Sequence, residues 1–291
     1  MITLLHVSDI HFGPPFVPKV GEAVLKFAQR LRPDAVVASG DYTQRAKPAQ
    51  FAAAREFLDR FPPVPLVVTP GNHDIAMYRV WERFFSPYAL YKEHISEELD
   101  SVLRLPEAVI VALNSTAPRR ALVNGRISRW QLDLAREAFE GVPDDVLRIV
   151  VAHHHFAPPP DFEGGDVMPK AKRALDAFTR MRVDVVMGGH LHRSYIGNSL
   201  DVYAGEDREH GILIVQSGTS TSRRGRARER EKNSFNVLRL DRAAIGVTQY
   251  MYFDDVGDFV PTGRHAYFRR GRPADGVGAG ALQAVFTDPT E

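Results

Sequence analysis

Short runs of apolar, largely β-branched residues recur along the first two thirds of the chain, and helical segments separate them. Their continuous apolar character is typical of strands that are covered on both faces. The runs span residues 3–8, 35–39, 65–69, 108–114, 147–153 and 184–190. Segments with helical spacing or helix-start residues span 21–31, 48–61, 128–139 and 169–181. This alternation predicts an α/β layered fold.

The last third of the chain differs in character, since strand-like runs follow one another with turns between them and no helix is apparent. These runs span residues 211–218, 234–241, 244–255 and 265–270. They predict a second, more antiparallel sheet packed on the first. We expect one domain over residues 1–270. Residues 271–291 are rich in Gly, Pro and Ala, and we expect a tail or an arm that docks through Leu282, Val285 and Phe286.

Composition excludes several classes of chemistry. The chain has no cysteine, so disulfides, thiolate nucleophiles and cysteine-bound zinc are excluded, and any metal must have nitrogen and oxygen ligands. The net charge of +1 gives no general argument for binding nucleic acid, which we expect is not a partner. The first residues do not have the pattern of a signal peptide, and no apolar stretch is long enough to span a membrane. We therefore expect a cytoplasmic protein, and the sequence is compatible with a homo-oligomer.

Side chains that can bind metals follow five of the predicted strands. Because the carboxyl ends of strands in α/β sheets meet at one crevice, we expect these side chains to lie close together. A set of carboxylate, amide and imidazole ligands without sulfur suits Mn, Fe, Zn or Co, and has too many imidazoles for Ca or Mg. The residues are Asp9, His11, Asp41, Asn72, His73, Asp74, His153, His154, His155, His190 and His192.

Each of these signals has a structural alternative when taken singly. A lone histidine at a strand end is more often a hydrogen-bonded structural residue, and Gly-Asp is common in turns. Five such elements, each directly after an apolar run, are much harder to explain by turn chemistry. The whole set therefore favours a metal site.

The order D-x-H, G-D, G-N-H-D, H and G-H-x-H resembles the calcineurin-like metallophosphoesterases over residues 1–241. Within that family, the chain looks most like the bacterial branch of cyclic-nucleotide phosphodiesterases and glycerophosphodiesterases. The resemblance implies a four-layer αββα sandwich of two mixed sheets, which agrees with the alternation of strands and helices.

The resemblance also implies two metal ions joined by a bridging carboxylate. Asp41 would be the bridge, and the choice of His153 over His154 as a ligand depends on the alignment of one strand end. The first ion would be held by Asp9, His11 and His192, and the second by Asn72, His153 and His190.

The implied activity is hydrolysis of a small phosphodiester by a metal-bound hydroxide. His73 would stabilise phosphoryl charge and assist the leaving oxygen, and Asp74 would orient its ring. One alternative is a nucleotide or lipid-linked pyrophosphatase of the lipid A precursor type, which often lacks a histidine at the position of His73. Another is a non-catalytic metal-binding scaffold, although every catalytic position is filled here.

Two segments allow both a structural and a substrate-binding interpretation. Residues 223–232 carry six basic and two acidic side chains, so they form either a solvated loop or one from which Arg223 or Arg224 contacts a substrate phosphate. His154 is a further candidate for substrate contact, and residues 156–166 are either a lid or a long connection. His6, inside the first strand, is expected to be structural.

An aromatic stretch follows G-N-H-D. We expect its side chains to pack in the core, with a wall that contacts a base or a lipid as the alternative. The stretch contains Trp81, Phe84, Phe85, Tyr88 and Tyr91.

Overall fold

A computed structural model describes residues 1–120, 123–159, 167–203 and 211–269. Its first sheet has the strand order β12-β11-β10-β1-β2-β3. Strands β1, β2 and β3 are parallel, whereas β10, β11 and β12 are added antiparallel to one side of β1. The strands are β1 (Ile2–Val7), β2 (Ala35–Ala38), β3 (Leu66–Val68), β10 (Ser234–Leu240), β11 (Ala244–Phe253) and β12 (Asp258–Phe268).

The second sheet has the order β4-β5-β6-β7-β9-β8, with a parallel centre and an antiparallel strand at each edge. Its central strands have no exposed residue, because each of their faces is covered by another layer. The strands are β4 (Ser101–Leu105), β5 (Ala108–Ala112), β6 (Leu147–Val151), β7 (Val185–Gly188), β8 (Tyr195–Asn198) and β9 (Leu213–Gln216).

Helices form the two outer layers. The helices α1 and α2 each begin at a proline, whose missing N–H and fixed φ suit the first helical position. None of the helices in the described ranges is long and apolar enough to cross a bilayer. The helices are α1 (Pro18–Leu31), α2 (Pro48–Leu58), α3 (Val80–Phe85), α4 (Ala89–His94), α5 (Arg129–Phe139), α6 (Ala171–Arg180) and α7 (Ser199–Val202).

The buried side chains form the layers of a sandwich. Strand β1 contributes to two of these layers. Leu4 belongs to the apolar cluster between the two sheets, and Leu5 belongs to the cluster beneath α1 and α2. A third cluster joins the outer face of the second sheet to α5 and α6. Successive side chains of a strand point to opposite faces, so both must be apolar when both faces are covered. The predicted αββα sandwich of two mixed sheets is confirmed.

The predicted arrangement of the last third is wrong in one respect. The late strands do not form a sheet of their own, because β10 pairs antiparallel with β1, with Leu238 opposite Leu4, while β9 pairs parallel with β7. The short edge strands β4 and β8 and the helix α7 were not predicted. The C-terminal tail and most of the 156–166 segment lie outside the described residues.

Candidate metal centre

Five loops meet at one end of the sandwich, each following the carboxyl end of a parallel strand. The loops after β1, β2 and β3 come from the first sheet, and those after β6 and β7 from the second. His11 and His192 show how closely the sheets approach, because their Nε2 atoms lie 3.0 Å apart. Similarly, His153 of the second sheet has its Nδ1 2.7 Å from the carbonyl oxygen of Ser39 in the first. The predicted convergence is therefore present in the structure.

One half of the centre contains Asp9, His11, Asp41 and His192, which are buried and offer ligand atoms within 4.8 Å of one another. Asp9 Oδ1 lies 3.1 Å from His192 Nε2 and 3.7 Å from His11 Nε2. Two imidazole nitrogens and a carboxylate oxygen thus face one point, as the ligands of a cation do.

Asp41 connects this half to a second group of side chains. Its Oδ2 lies 3.7 Å from His11 Nε2 and 3.3 Å from His153 Nε2. In the second group, His190 Nδ1 lies 2.9 Å from Asn72 Oδ1. The structure therefore brings together all seven of the predicted ligands, with Asp41 between the two groups.

Several atoms that face the centre have no hydrogen bond among the described residues. They are Asp9 Oδ1, Asp41 Oδ2 and His153 Nε2, and each is fully buried. Buried polar atoms are nearly always hydrogen-bonded, and a buried carboxylate without a partner is costly. Bound cations would satisfy all of these atoms, so the residues fit a metal centre.

The loop backbone is unusual where it carries these side chains. Left-handed φ values are uncommon for residues other than glycine and are tolerated where the surrounding structure enforces them. Gly71 is constrained by close packing, since a Cβ there would lie 2.1 Å from Asp41 Oδ1. Positive φ values occur at Asp9 (53°), His11 (55°), Asp41 (56°), His190 (73°) and His192 (56°).

A second set of contacts fixes the side chains of the centre. Asp9 Oδ2 accepts hydrogen bonds from Ser8 Oγ at 2.7 Å and from the backbone N–H of His190 at 2.9 Å. His192 Nδ1 lies 3.2 Å from the carbonyl oxygen of Arg224. Such contacts set the orientation of a ligating side chain and leave its other atom directed at the ion.

Burial and charge act differently on the histidines. Burial lowers the pKa of His11 to about 4, so its ring is neutral and keeps the lone pair that a metal ion needs. Burial also acts to lower the pKa of His153, but the Asp41 carboxylate outweighs it and raises that pKa to about 9. A cation between Asp41 and His153 would take the place of this proton.

His73 lies at the rim of the centre, with its ring 4.9 Å from the His11 ring. Its Nδ1 is 2.9 Å from the carbonyl oxygen of Gln44, and its Nε2 is 3.0 Å from Arg224 Nη1. The same Arg224 atom donates to Gln44 Oε1 at 3.0 Å. Gln44 was not among the predicted site residues, and no motif in the sequence marks it.

The contacts of Asp74 do not match its predicted role, which was to orient the His73 ring. Its carboxylate accepts backbone N–H groups of Gly71 at 2.9 Å, Thr43 at 2.9 Å and Tyr42 at 3.2 Å. Burial and the nearby Asp41 carboxylate raise the pKa of Asp74 to about 7, against the effect of these donors. Asp74 therefore ties the loop after β2 to the loop after β3, and Gln44 holds the ring.

The basic segment at residues 223–232 is anchored rather than fully solvated. Glu229 is buried, and its carboxylate accepts hydrogen bonds from Ser194 N at 2.8 Å and Ser234 Oγ at 2.6 Å. Of the two arginines predicted to contact substrate, Arg224 is half-buried against His73, whereas Arg223 is exposed. An acidic residue inside a basic run was the signal that could have identified this anchor.

The remaining histidines differ in position. His154 is buried beside the centre, with Nδ1 2.8 Å from Ser115 Oγ and its ring 4.7 Å from that of His190. The ring of His155 lies 5.7 Å from that of His190. His6 is buried in β1, with Nε2 3.0 Å from Ser39 Oγ, as expected for a structural residue.

Two curated bacterial proteins are similar to this chain. A cAMP/cGMP dual specificity phosphodiesterase of Mycobacterium tuberculosis is 26% identical over 280 residues, which cover 90% of this chain and 83% of that protein. A probable cyclic nucleotide phosphodiesterase of Rhodococcus erythropolis is 26% identical over 209 residues, which cover 66% of this chain and 65% of that protein.

Solved structures share the fold at low sequence identity. A purple acid phosphatase from yellow lupin (Lupinus luteus) seeds matches with a TM-score of 0.65 and 12% identity, covering 92% of this chain and 54% of the phosphatase. PhoD matches with a TM-score of 0.62 and 11% identity, covering 90% of this chain and 71% of PhoD. The sequence profile of the calcineurin-like phosphoesterases matches residues 2–194, so the chain belongs to the calcineurin-like phosphoesterase family.

Proposed function

We propose that the protein hydrolyses a small phosphodiester at a centre of two metal ions. The observation that carries the proposal is the position of Asp41 Oδ2, which is buried between His11 Nε2 at 3.7 Å and His153 Nε2 at 3.3 Å and has no hydrogen bond within the part of the chain that the structure describes. Asp41 would bridge the ions. One ion would be held by Asp9, His11 and His192, and the other by Asn72, His153 and His190.

Ions in this centre would neutralise the charge of a phosphodiester and lower the pKa of a coordinated water, which is the chemistry that two-metal sites supply. Nitrogen and oxygen ligands of this kind suit Mn, Fe, Zn or Co. Three contacts within the chain orient these ligands. The Ser8 hydroxyl bonds to Asp9, and the carbonyl oxygens of Ser39 and Arg224 lie against His153 and His192.

His73 and Arg224 would act on the substrate from the rim. Because the carbonyl oxygen of Gln44 is an acceptor, Nδ1 of His73 carries a hydrogen and Nε2 accepts from Arg224. The Arg224 guanidinium, held beside His73, would contact a phosphoryl oxygen, for which its planar donors are suited. Transfer of a proton to the leaving oxygen would require a His73 ring that is protonated at Nε2. His154 stays a weaker candidate for substrate contact.

The substrate class is proposed from the relatives and from the residues present. Both curated relatives are named as cyclic nucleotide phosphodiesterases, which supports a cyclic nucleotide, and the branch resemblance also supports a glycerophosphodiester. The presence of His73 counts against a lipid-linked pyrophosphatase. The complete ligand set counts against a scaffold without activity.

The test is a screen of metal-free protein reloaded with Mn, Fe, Zn or Co. We expect two ions per chain and turnover of bis(p-nitrophenyl) phosphate, followed by turnover of a cyclic nucleotide or a glycerophosphodiester. Turnover of monoesters alone would identify a phosphatase, and turnover of lipid pyrophosphates alone would identify a pyrophosphatase. A protein that binds its ions and turns over none of these compounds would be a scaffold.

A further inference from the structure

A group of large apolar side chains lies exposed just beyond the loop of His73. This group, here called the aromatic ridge, includes the helix α3 and the residue two positions before it. Single exposed apolar side chains are common, but a contiguous group of this kind marks an interaction surface. The exposed fractions are 75% for Tyr78, 57% for Val80, 78% for Trp81, 37% for Phe84 and 74% for Phe85.

The ridge projects from the body of the protein instead of contributing to its core. No residue of α3 is buried. Trp81 and Phe85, one helical turn apart, stack on each other with their ring centroids 5.3 Å apart. Tyr91 of α4 is fully buried, so the core packing expected for the aromatic stretch is correct for Tyr91 and wrong for Trp81 and Phe85.

Arginine side chains lie around the ridge and contact its rings and backbone. Arg79 Nη2 donates to the carbonyl oxygen of Ala46 at 2.7 Å, and Arg119 Nη2 donates to that of Phe84 at 2.6 Å. Arg83 lies over the Phe84 ring at 4.8 Å. Arg45 lies over the Tyr78 ring at 5.7 Å, and Glu82 is an acidic residue of the helix that pairs with Arg79. The surroundings of the ridge are therefore basic.

We propose that the aromatic ridge docks the protein on the surface of an anionic phospholipid bilayer. Exposed Trp, Tyr and Phe with flanking arginines are typical of segments that bind in the interfacial plane of a membrane. The apolar rings enter the boundary between head groups and acyl chains, while the arginines attract anionic head groups. A two-fold contact between two copies would instead place the same basic side chains against each other, which is unfavourable.

One groove is lined both by Tyr78 of the ridge and by residues of the metal centre. The lining of this groove of about 310 Å³ includes Asn72 and His73 of the centre together with Met77 and Tyr78. Docking through the ridge would bring the mouth of the centre close to the bilayer surface. The docking does not depend on the proposed hydrolysis, because binding to vesicles can be measured without turnover.

The chain offers a direct probe, because it contains only two tryptophans. The variant Trp130→Phe leaves Trp81 as the sole tryptophan, and Trp81→Phe leaves Trp130, which is 58% exposed on α5. We expect the emission of Trp130→Phe to shift to the blue with vesicles of phosphatidylcholine and phosphatidylglycerol. The emission of Trp81→Phe should not shift, although that variant still binds through Phe85 and Tyr78.

Sedimentation with the same vesicles measures the affinity. We expect the double variant Trp81→Ala/Phe85→Ala to lose roughly tenfold or more in vesicle affinity, because it removes two large rings from the interface. Arg83→Gln should lose about fivefold on anionic vesicles, as expected for one basic side chain near the surface. Trp130→Ala is the matched control and should bind like the parent chain.

Three results would overturn the proposal. The first is an unshifted Trp81 emission in a folded Trp130→Phe protein, with circular dichroism as the check on folding. The second is equal binding of the parent chain and Trp81→Ala/Phe85→Ala. The third is a dimer in light scattering that depends on Trp81 and excludes vesicles, which would make the ridge a contact between copies. Hydrolysis of bis(p-nitrophenyl) phosphate should be unchanged in the double variant, so failure of docking and failure of catalysis are separable.

Discussion

The loop that follows β3 and the helix α3 lie close together in the chain, and each reverses the usual distribution of side chains. In the loop, the polar Asn72 and Asp74 are buried. In the helix, the apolar Trp81 and Phe85 are exposed. A buried polar group or an exposed apolar patch is the informative exception to the rule that apolar residues lie inside. The comparison teaches that the two exceptions are resolved differently. Backbone N–H groups satisfy Asp74 within the chain, whereas we propose a partner from outside the chain for Asn72, which is a cation, and for the exposed rings of the helix, which is a bilayer surface.

The largest expected effect is on activity, from a substitution in the buried metal centre. Asp41→Asn removes the charge of the carboxylate that we propose bridges two ions, so we expect kcat/KM for a phosphodiester to fall by at least ~10³-fold. The ion content, measured by atomic absorption, should fall below that of the parent protein. Asp133→Asn, at an exposed carboxylate of α5, is the control. Full ion content with full turnover in Asp41→Asn would contradict the two-ion centre.

A smaller effect is expected at the rim. His73→Asn removes the ring that lies against Arg224 and leaves the proposed ligands in place, so kcat should fall by about 10²–10³-fold. The ion content should be unchanged, which separates this residue from the ligands. A loss of ions in His73→Asn would show that His73 belongs to the metal centre itself.

Removal of ions should affect stability as well as activity. Ions bind the folded state, so a free ion concentration of 100 times Kd should raise the free energy of unfolding by about 2.7 kcal/mol. Urea unfolding with and without a chelator measures the difference. Asp41→Asn should show less stabilisation by ions than the parent protein, and an equal response would mean that the ions bind elsewhere.

The smallest effect is expected on stability, from substitutions in the exposed aromatic ridge. Trp81→Ala/Phe85→Ala should change the free energy of unfolding by only about 0.5 kcal/mol, because these rings have little to lose on unfolding. Tyr91→Ala, in the same aromatic stretch but fully buried, should cost about 3–5 kcal/mol. Thermal or urea unfolding distinguishes the two variants. A large loss in the double variant would mean that the ridge packs within the protein.

Local sequence patterns were enough to predict which side chains meet at the candidate centre. Asp9, Asp41 and His153 could be found because each follows an apolar run, and parallel strands end at the same edge of a sheet. The same pattern predicted a layered α/β fold, since continuous apolar strands require cover on both faces, and the family resemblance implied the αββα sandwich.

Other features depend on contacts between distant parts of the chain. No local pattern could show that Arg224 would reach His73, because the two residues are 151 positions apart in the chain. Asp74 follows His73 directly, yet its carboxylate turns to the backbone of the preceding loop.

The sequence by itself determined which residues lie at strand ends and which faces are apolar, because strand and helix periods are local properties. Only the tertiary structure decided which sheet β10 to β12 join and whether an aromatic residue is covered. Tyr91 and Trp81 are large aromatic residues of the same stretch, and only the packing of the layers buries the first and leaves the second exposed. Burial depends on neighbours far along the chain, and local patterns do not identify them.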